Sequence, residues 1–338
     1  MNKENWWKIM NHDRNIKEGA TLFWKGKEND NSPNGSIISK EFRRKGIIIE
    51  GELIKGIENQ ENNPPENRLI QGDNLEIMRK LMDEGWGGTF DLIYIDPPFW
   101  SGEDYFMNGD EELAYKDRWK GGIQSYLSMM FARVQLMHSL LSSNGSIFVH
   151  VDWHAGPSIK LLLDDICGMD NIHNEIIWAY GGPSPVKTSF PRKHDVIFFY
   201  SKSSDYKFFP QYNPLKDYLL KRARKDKDGR LWVDQNVGKI TKRKFNELKD
   251  EGRVFRTKTG RFRRKQYLDE MKGDMVDDVW NIPIINSQAR ERIGFPTQKP
   301  IALLERVISC ASEPGDLIGD FFCGSGTCLI AAQNLQRK

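Results

Sequence analysis

Four consecutive residues, Asp-Pro-Pro-Phe at positions 96–99, carry the clearest chemical signal in this sequence. They follow the apolar run 91–95, which predicts a buried strand that Pro97 then ends. The segment delivers a carboxylate, a rigid prolyl backbone and an aromatic ring to the C-terminal edge of a sheet, where ligands bind in open α/β folds. It therefore predicts a rigid, polar and concave site.

A second signal lies near the end of the chain, at residues 317–327. Residues 317–322 resemble another apolar strand, and Cys-Gly-Ser-Gly-Thr at 323–327 leads directly into a helical pattern. Gly324 and Gly326 allow close approach of the backbone to a ligand, and the following helix N-terminus favours negative charge. A lone Gly-x-Gly turn occurs in many folds, so this segment is informative only together with residues 96–99.

Together these segments resemble the motifs of one family, the S-adenosylmethionine-dependent amino-methyltransferases of DNA. The catalytic motif of the family, Asp/Asn/Ser-Pro-Pro followed by an aromatic residue, is matched at 96–99. Its cofactor motif, Asp-x-Phe-x-Gly-Ser-Gly-Thr, is matched at 320–327, and Thr-Gln-Lys-Pro at 297–300 also matches. The catalytic motif comes first, so the order resembles the permuted β class, over roughly residues 66–338.

The resemblance implies a fold and a set of site residues. The expected fold is α/β, a Rossmann-like methyltransferase fold with a mostly parallel central sheet, a circularly permuted motif order and an inserted basic target-recognition subdomain. The expected cofactor is S-adenosyl-L-methionine. The expected catalytic residues are Asp96, Pro97, Pro98 and Phe99. The expected cofactor-binding residues are Asp73, Thr297, Gln298, Lys299, Asp320, Phe322, Cys323, Gly324, Ser325, Gly326 and Thr327.

The chemistry of an exocyclic amine explains the catalytic motif. The nitrogen lone pair is delocalised into the ring, and two acceptors aimed at the N–H groups stabilise the positive charge that develops during attack. In the family these acceptors are the acidic side chain and the first proline carbonyl, here Asp96 and Pro97. The aromatic residue, here Phe99, stacks on a base flipped out of the duplex. Asp at the first position favours adenine N6 over cytosine N4, which stays the alternative.

Several interpretations remain open from the sequence. Asp73 either contacts the adenine of the cofactor or only caps the following helix. Residues 100–106 are aromatic and expected to be flexible, as a cover for the pocket. The chain ends before the strand that supplies a ribose-binding acid in the family. We therefore expect a truncated cofactor-binding half, and a non-catalytic DNA-binding relic is the alternative to an enzyme.

A histidine pair gives a weaker signal. His150, Asp152 and His154 alternate along a predicted strand and would share one of its faces. That arrangement resembles part of a metal cluster, but no fourth ligand has suitable spacing, and methyl transfer needs no metal. We therefore expect pocket lining or strand-end capping and assign no metal site.

Charge is unevenly distributed along the chain. Residues 216–272 contain 20 Lys and Arg against 9 Asp and Glu, a net charge of +11, whereas the whole chain carries +3. Such an excess attracts phosphate backbones, although charge runs are often only solvated faces. We expect contacts with double-stranded DNA from Lys242, Arg243, Lys244, Arg261, Arg263, Arg264 and Lys265.

The sequence pattern, together with what the resemblance implies, predicts four segments. They are an N-terminal extension and linker (1–65), a catalytic half (66–200), an inserted target-recognition region (201–282) and a cofactor-binding half (283–338). The extension either packs on the main domain or forms a recognition or dimerisation element, and residues 46–54 suggest a strand or a hairpin. Alternating strands and helices predict a mostly parallel sheet covered on both faces. We also expect a short strand at 68–71, a helix over 126–141 that Asn144 and Gly145 stop, and a further strand that starts at Ile147.

Composition limits the class of protein. The chain has 338 residues, 38% of them hydrophobic, with no apolar run long enough to cross a bilayer and no signal-peptide pattern. Its four cysteines lack Cys-x-x-Cys spacing and indicate reduced thiols in a cytoplasmic protein. Beyond DNA, the resemblance leaves a homodimer and a cognate restriction nuclease as partners.

Overall fold

The computed structural model describes residues 47–49, 52–54, 67–107 and 113–338. The expectations for residues 1–46 and for the linker at 59–66 lie outside the described residues. In the N-terminal extension, β1 (Ile47–Ile49) and β2 (Glu52–Ile54) pair in antiparallel orientation, with Ile48 opposite Leu53. The predicted hairpin is confirmed.

From residue 67 onward, helices and strands alternate. The elements are α1 (Asn74–Asp83), β3 (Phe90–Ile95), β4 (Asp104–Phe106), β5 (Leu113–Lys116), α2 (Gly122–Leu140), β6 (Leu141–Val151), α3 (Gly156–Cys167), a 3-10 turn (Met169–Asn171), β7 (Ile172–Ala179) and β8 (His194–Ser201).

Two expectations in this region are wrong. Residues 68–71 form no strand, because no neighbouring strand of the described chain pairs with them, and Leu69 and Ile70 stay exposed. The strand expected to start at Ile147 starts at Leu141, directly after the helix ends at Leu140, because Leu141 has an extended backbone (φ −61°, ψ 137°) and pairs with Phe90. Gly145 therefore lies inside a strand, where a Cβ atom would come within 2.7 Å of the Phe90 carbonyl oxygen.

A second compact unit comprises Pro210–Asp277, inside the range expected for the insertion. Its elements are β9 (Tyr212–Asn213), α4 (Asp217–Arg222), β10 (Arg224–Lys225), β11 (Leu231–Asn236), α5 (Lys242–Asp250), β12 (Val254–Arg256), β13 (Phe262–Tyr267), a 3-10 turn (Leu268–Glu270) and β14 (Asp274–Met275). An antiparallel sheet has the order β10-β11-β13-β12. Trp232, Val233, Leu248 and Tyr267 are buried and form a small core.

The chain then returns to the first unit with β15 (Val279–Asn281), α6 (Ile301–Ala311), β16 (Ile318–Gly319) and α7 (Thr327–Asn334). The central sheet has the order β15-β7-β8-β6-β3-β16, and all of its strands run parallel except β8. The mostly parallel α/β sheet is thus confirmed. β3 and β16 are neighbours although they come from opposite parts of the chain, as a permuted motif order requires.

Polar contacts fix β16 against β3. Asp91 accepts a hydrogen bond from the Leu317 backbone N–H (3.0 Å), and Lys207 Nζ bridges Asp91 (3.1 Å) and Asp316 (2.7 Å). Inside the sheet, β3 is buried from Leu92 to Ile95. The C-terminal ends of these two strands are therefore held side by side, and the next residues of each strand reach the same place. Among the described residues, no helix is both long and apolar enough to span a membrane.

Candidate active site

A cavity of about 1020 Å³ opens where β3 and β16 end. All the residues predicted for catalysis or cofactor binding line this cavity except Gln298. The two sequence motifs, far apart in the chain, therefore meet in one place because β3 and β16 are adjacent.

Gln298 instead shapes the loop that leads to the cavity. Its side-chain Nε2 donates to the Glu291 carbonyl oxygen (2.7 Å), and its Oε1 accepts from the Ile293 backbone N–H (3.0 Å). Glu291 in turn accepts from the N–H of Ile301 (3.2 Å), the first residue of α6. Gln298 thus holds the segment that presents Thr297 and Lys299, and its own cofactor contact stays a prediction.

Asp96 is paired with Lys299. The Lys299 Nζ atom lies 2.9 and 2.7 Å from the two carboxylate oxygens of Asp96, and the Lys299 side chain is only 10% exposed. The same Nζ lies 5.1 Å from the centroid of the Phe99 ring, within range of a cation–π contact. The sequence did not suggest this pair, and a role of Lys299 in holding the cofactor's carboxylate stays a prediction.

Asp117, which the sequence analysis missed, holds the backbone directly after the Asp-Pro-Pro motif. Its carboxylate accepts from the backbone N–H groups of Phe99 (3.2 Å), Trp100 (2.8 Å) and Ser101 (2.7 Å). It also accepts from Ser101 Oγ (2.6 Å) and Trp119 Nε1 (3.1 Å). Asp117 is only 1% exposed. An isolated aspartate outside any motif gives no sequence signal for such a role.

Trp100 shows why this support is needed. Its φ of 60° lies in the left-handed region, which bulky residues rarely adopt. Such a conformation costs free energy and persists where the surroundings over-determine it. The hydrogen bonds to Asp117 provide that constraint, so the start of the segment expected to be flexible is anchored. Further along, β4 and β5 pair with each other.

The glycine-rich turn presents a helix N-terminus to the cavity. Gly326, with φ of 78°, is the N-cap of α7, and no side chain caps this helix. The first N–H groups of α7 therefore lack a capping side chain and suit a negatively charged group. Gly324 also has a positive φ, 49°, which favours glycine there. Beside the turn, Ser325 Oγ and Thr327 Oγ1 lie 2.9 Å apart.

Asp320 lies at the end of β16 and contributes buried negative charge. One of its oxygens accepts from the Phe322 backbone N–H at 3.0 Å. Burial, with a smaller contribution from the charge of Asp96, raises the pKa of Asp320 to about 7, although the Phe322 hydrogen bond opposes the shift. A carboxyl group in this situation is stabilised by a cationic partner.

The structure shows Asp73 as a helix cap. Its Oδ1 accepts from the backbone N–H groups of Leu75 (2.9 Å) and Glu76 (3.3 Å), and its Oδ2 pairs with Arg133 (3.2 Å). Next to it, Asn74 donates to the Phe321 carbonyl oxygen (2.8 Å), which ties α1 to the end of β16. A cofactor contact by Asp73 stays a prediction.

The three residues expected on one strand face do not share it. β6 ends at Val151, and Asp152 beyond it accepts from the His154 backbone N–H (2.8 Å) and contacts His154 Nδ1 (2.5 Å). His150 points instead into the sheet, toward Tyr94 and Asp195. The expectation is wrong because β6 ends before Asp152 and His154, which the alternating pattern had placed on the strand. In the part of the chain that the structure describes, no group of three or more His, Cys, Asp or Glu could hold a metal ion.

The seven cations that the sequence predicts as DNA contacts fall into two groups. Arg263 pairs with Asp234 (2.9 Å), Lys265 pairs with Asp226 (3.1 Å), and Arg264 donates to Gln235 (3.2 Å). These three are partly buried. The exposed group comprises Arg261 on the turn before β13 and Lys242, Arg243 and Lys244 at the start of α5. Arg243 and Lys244 share Glu247 on the surface of α5.

The first unit is thus a Rossmann-like α/β unit in which an acidic Pro-Pro motif and a glycine-rich turn face one cavity. The chain belongs to the N6/N4 DNA methylase family, whose family model, described as DNA methylase, matches residues 90–338.

Individual relatives are similar to this chain over most of its length. The Type II methyltransferase M.EcaI of Enterobacter cloacae is 32% identical over 299 residues, covering 80% of this chain and 65% of that protein. The Type III restriction-modification enzyme StyLTI Mod subunit of Salmonella typhimurium is 25% identical over 367 residues, covering 89% and 56%. This chain therefore spans between about half and two thirds of these relatives' length. A solved structure, PvuII DNA methyltransferase (cytosine-N4-specific), aligns with TM-score 0.45 and 15% identity, covering 79% of this chain and 78% of that one.

Proposed function

We propose that this protein transfers a methyl group from S-adenosylmethionine to the exocyclic N6 of an adenine flipped out of double-stranded DNA. The observation that carries this proposal is the meeting of residues 96–99 and 320–327 in one cavity. Family membership supports it, as do relatives that are a Type II methyltransferase and a subunit of a Type III restriction-modification enzyme.

The residues of the cavity fit the cofactor chemically. Buried Asp320 suits a cationic group, and the uncapped N-terminus of α7 suits a carboxylate. Phe295 and Phe322 line the same cavity and provide apolar surface for a purine ring. When bound, S-adenosylmethionine supplies a methyl group activated on a sulfonium. Asp320 and Gly324–Thr327 are the residues that would hold it.

The catalytic groups are then assigned by position. The Asp96 carboxylate accepts one N–H of the target amine, and the Pro97 carbonyl accepts the other, so both stabilise the charge that develops on nitrogen. Phe99 stacks on the flipped base and offsets part of the stacking lost in the duplex. When the target amine approaches Asp96, the Lys299 ammonium either moves away or keeps only one of its two contacts, because the ammonium and the amine compete for the same carboxylate.

Partners follow from the same proposal. The second unit supplies DNA contacts through its exposed cations, and a cognate nuclease is a further partner, since Type III Mod subunits are among the relatives. A homodimer and a cytoplasmic location complete the proposal. All four cysteines are free, in keeping with a reducing compartment.

The direct test uses purified protein, duplex DNA of mixed sequence and S-adenosylmethionine with a labelled methyl group. Mass spectrometry of the digested DNA should show labelled N6-methyladenine. Labelled N4-methylcytosine would instead show that the target is cytosine N4. DNA binding without any label would support the non-catalytic relic instead.

Exposed cations should dominate DNA affinity. We expect that replacing Arg243 and Arg261 with alanine weakens binding and reduces the salt-dependence slope by about 0.9 for each phosphate that the protein no longer neutralises. Lys265→Met is the matched control, because Lys265 is already paired with Asp226 and its stem can still pack near Trp232. Fluorescence anisotropy across a salt series measures both quantities. An unchanged slope in the double variant, or an equal change in the control, would contradict this assignment.

Cofactor affinity should rise with pH through the pKa of Asp320. Below about 7 the carboxyl group is largely protonated, so binding of a cationic ligand must release a proton. We expect affinity for S-adenosylmethionine to increase from pH 6 to pH 8, approaching about tenfold per pH unit only well below the pKa. Calorimetry in buffers of different ionisation enthalpy measures affinity and proton release. Asp320→Asn should bind more weakly and lose the proton release, and a wild-type affinity independent of pH would refute the linkage.

A further inference from the structure

A buried polar chain lies behind Asp96. His150 Nδ1 is 2.8 Å from the Tyr94 hydroxyl, and His150 Nε2 is 3.2 Å from Asp195 Oδ2. The Tyr180 hydroxyl donates to the other Asp195 oxygen at 3.4 Å. His150 is fully buried and Asp195 is only 9% exposed. Burying such groups costs free energy even when they are hydrogen-bonded, and apolar side chains could fill this space at least as stably.

The chain fixes the protonation pattern of His150. Burial by itself raises the pKa of Asp195, but the hydrogen bonds that Asp195 accepts from His150 and Tyr180 and the charge of Lys299 lower it overall, so Asp195 is a carboxylate that can only accept. Nε2 therefore carries the hydrogen in neutral His150. Nδ1 keeps its lone pair and accepts from Tyr94.

The Nδ1 side of His150 faces the motif. His150 Nδ1 lies 3.9 Å from Asp96 Oδ1, slightly beyond hydrogen-bond distance. The imidazole centroid is 5.8 Å from that of the Phe99 ring and 5.4 Å from that of Trp178. A shift of about 1 Å would bring Nδ1 into range of Asp96, which can donate to Nδ1 once Asp96 carries a proton and the Tyr94 hydroxyl hydrogen turns away. Tyr94, like Asp96, also lines the cavity.

The proposed reaction needs such a group. Formation of the N–methyl bond breaks the methyl–sulfur bond, whose electron pair stays on the neutral sulfur. The amine nitrogen is left with a positive charge and must lose one proton. Asp96 is the nearest acceptor, but it must be a carboxylate again for the next turnover.

We propose that His150 is a positioning residue that acts through Asp96, from which it takes the proton that the methylated amine loses. This inference rests on the proposed function. The proton passes from the amine to Asp96 and then to Nδ1. Asp96 returns to its carboxylate form, and the imidazolium lies between Asp96 and Asp195. Tyr94 then accepts from Nδ1–H, and the proton leaves to solvent after the product dissociates.

The charged and titratable groups around His150 favour that uptake. Asp96 and Tyr94 face it from β3 and the residues after it, and Asp195 faces it from β8. Tyr180, after β7, contacts Asp195, and Lys299, before α6, contacts Asp96. The two carboxylates and one ammonium therefore give the surroundings of the imidazolium a net negative charge.

The first test needs no activity. Nitrogen NMR of protein labelled in histidine should show His150 as the neutral Nε2–H tautomer in the wild type. Asp195→Asn should shift it toward the other tautomer, because an amide can donate to Nε2. A wild-type His150 in the Nδ1–H form would overturn the proposal, whether or not the protein proves to be a methyltransferase.

The second test measures single-turnover methyl transfer against pH. His150→Gln should lower the rate about 10–100-fold and change the shape of the pH profile, because glutamine cannot take up the proton from Asp96. S-adenosylmethionine affinity should stay unchanged. His173→Gln is the control, since His173 bonds Ser201 (2.8 Å) and stacks on Tyr206, away from Asp96.

The outcomes separate the two claims. Inactive wild-type protein would defeat the proposed function. An active His150→Gln variant with the wild-type rate and pH profile would defeat only the role of His150. If that variant fails to bind cofactor, Asp195→Asn, which preserves shape, provides the rate and pH profile, and a wild-type result in it overturns the proposal.

Discussion

Replacing Asp96 with alanine should lower the rate of methyl transfer by about 10²–10³-fold, the usual effect of removing one well-placed polar stabiliser. The substitution removes the side-chain acceptor for the target amine and leaves the Pro97 carbonyl in place. It also leaves the Lys299 ammonium, only 10% exposed, without its carboxylate. Single-turnover assays at saturating DNA and cofactor measure the decrease directly.

A graded variant separates chemistry from charge. Asp96→Asn keeps an oxygen acceptor and removes the negative charge, so its rate should lie between those of Asp96→Ala and the wild type. DNA affinity should change little in both variants, because phosphate contacts dominate it. Turnover near the wild-type level in Asp96→Ala would remove Asp96 from the mechanism.

The second large effect concerns stability. Asp117→Ala should lower the free energy of unfolding by about 3–4 kcal/mol, because it leaves several donors around a buried site without an acceptor. Those donors are the backbone N–H groups of Phe99, Trp100 and Ser101, the Ser101 hydroxyl and the Trp119 indole. The left-handed Trp100 would no longer have the hydrogen bond that holds it, so Phe99 should also become less ordered and activity should fall.

Asp170→Ala is the matched control for Asp117. Asp170 lies exposed in the 3-10 turn after α3, and an exposed substitution of this kind usually changes stability by less than about 0.5 kcal/mol. Urea unfolding monitored by tryptophan fluorescence gives both values. A decrease below about 1 kcal/mol in Asp117→Ala would mean that water or a rearranged loop replaces the carboxylate.

The sequence correctly predicted the features that a local hydrophobic pattern or a motif determines. Residues 90–95 formed the expected strand, and the motifs at 96–99 and 320–327 came together because buried parallel strands place their C-terminal ends at one edge. Each of these features depends on near neighbours in the chain or on a motif with a fixed structural context.

The features that the sequence did not predict depend on distant pairing. Leu141 joins a strand because Phe90 lies beside it, which no local propensity encodes. Asp117 and the pair of Asp96 with Lys299 act through residues separated along the chain, and neither belongs to a periodic pattern. The sequence also did not predict that Lys265 is paired whereas Arg261 is exposed, because the pairing depends on where Asp226 lies in the fold.

The adjacency of β3 and β16 also bears on how the protein is made. Leu317 bonds Asp91 across 226 positions of sequence, so β3 lacks this neighbour until the residues up to Leu317 have also left the ribosome. At about 5–20 residues per second, that interval is about 10–45 s. Throughout it, an apolar strand has one unpaired edge, the kind of surface that associates with other chains. Synthesis of this protein therefore includes a period in which the nascent chain needs protection from aggregation.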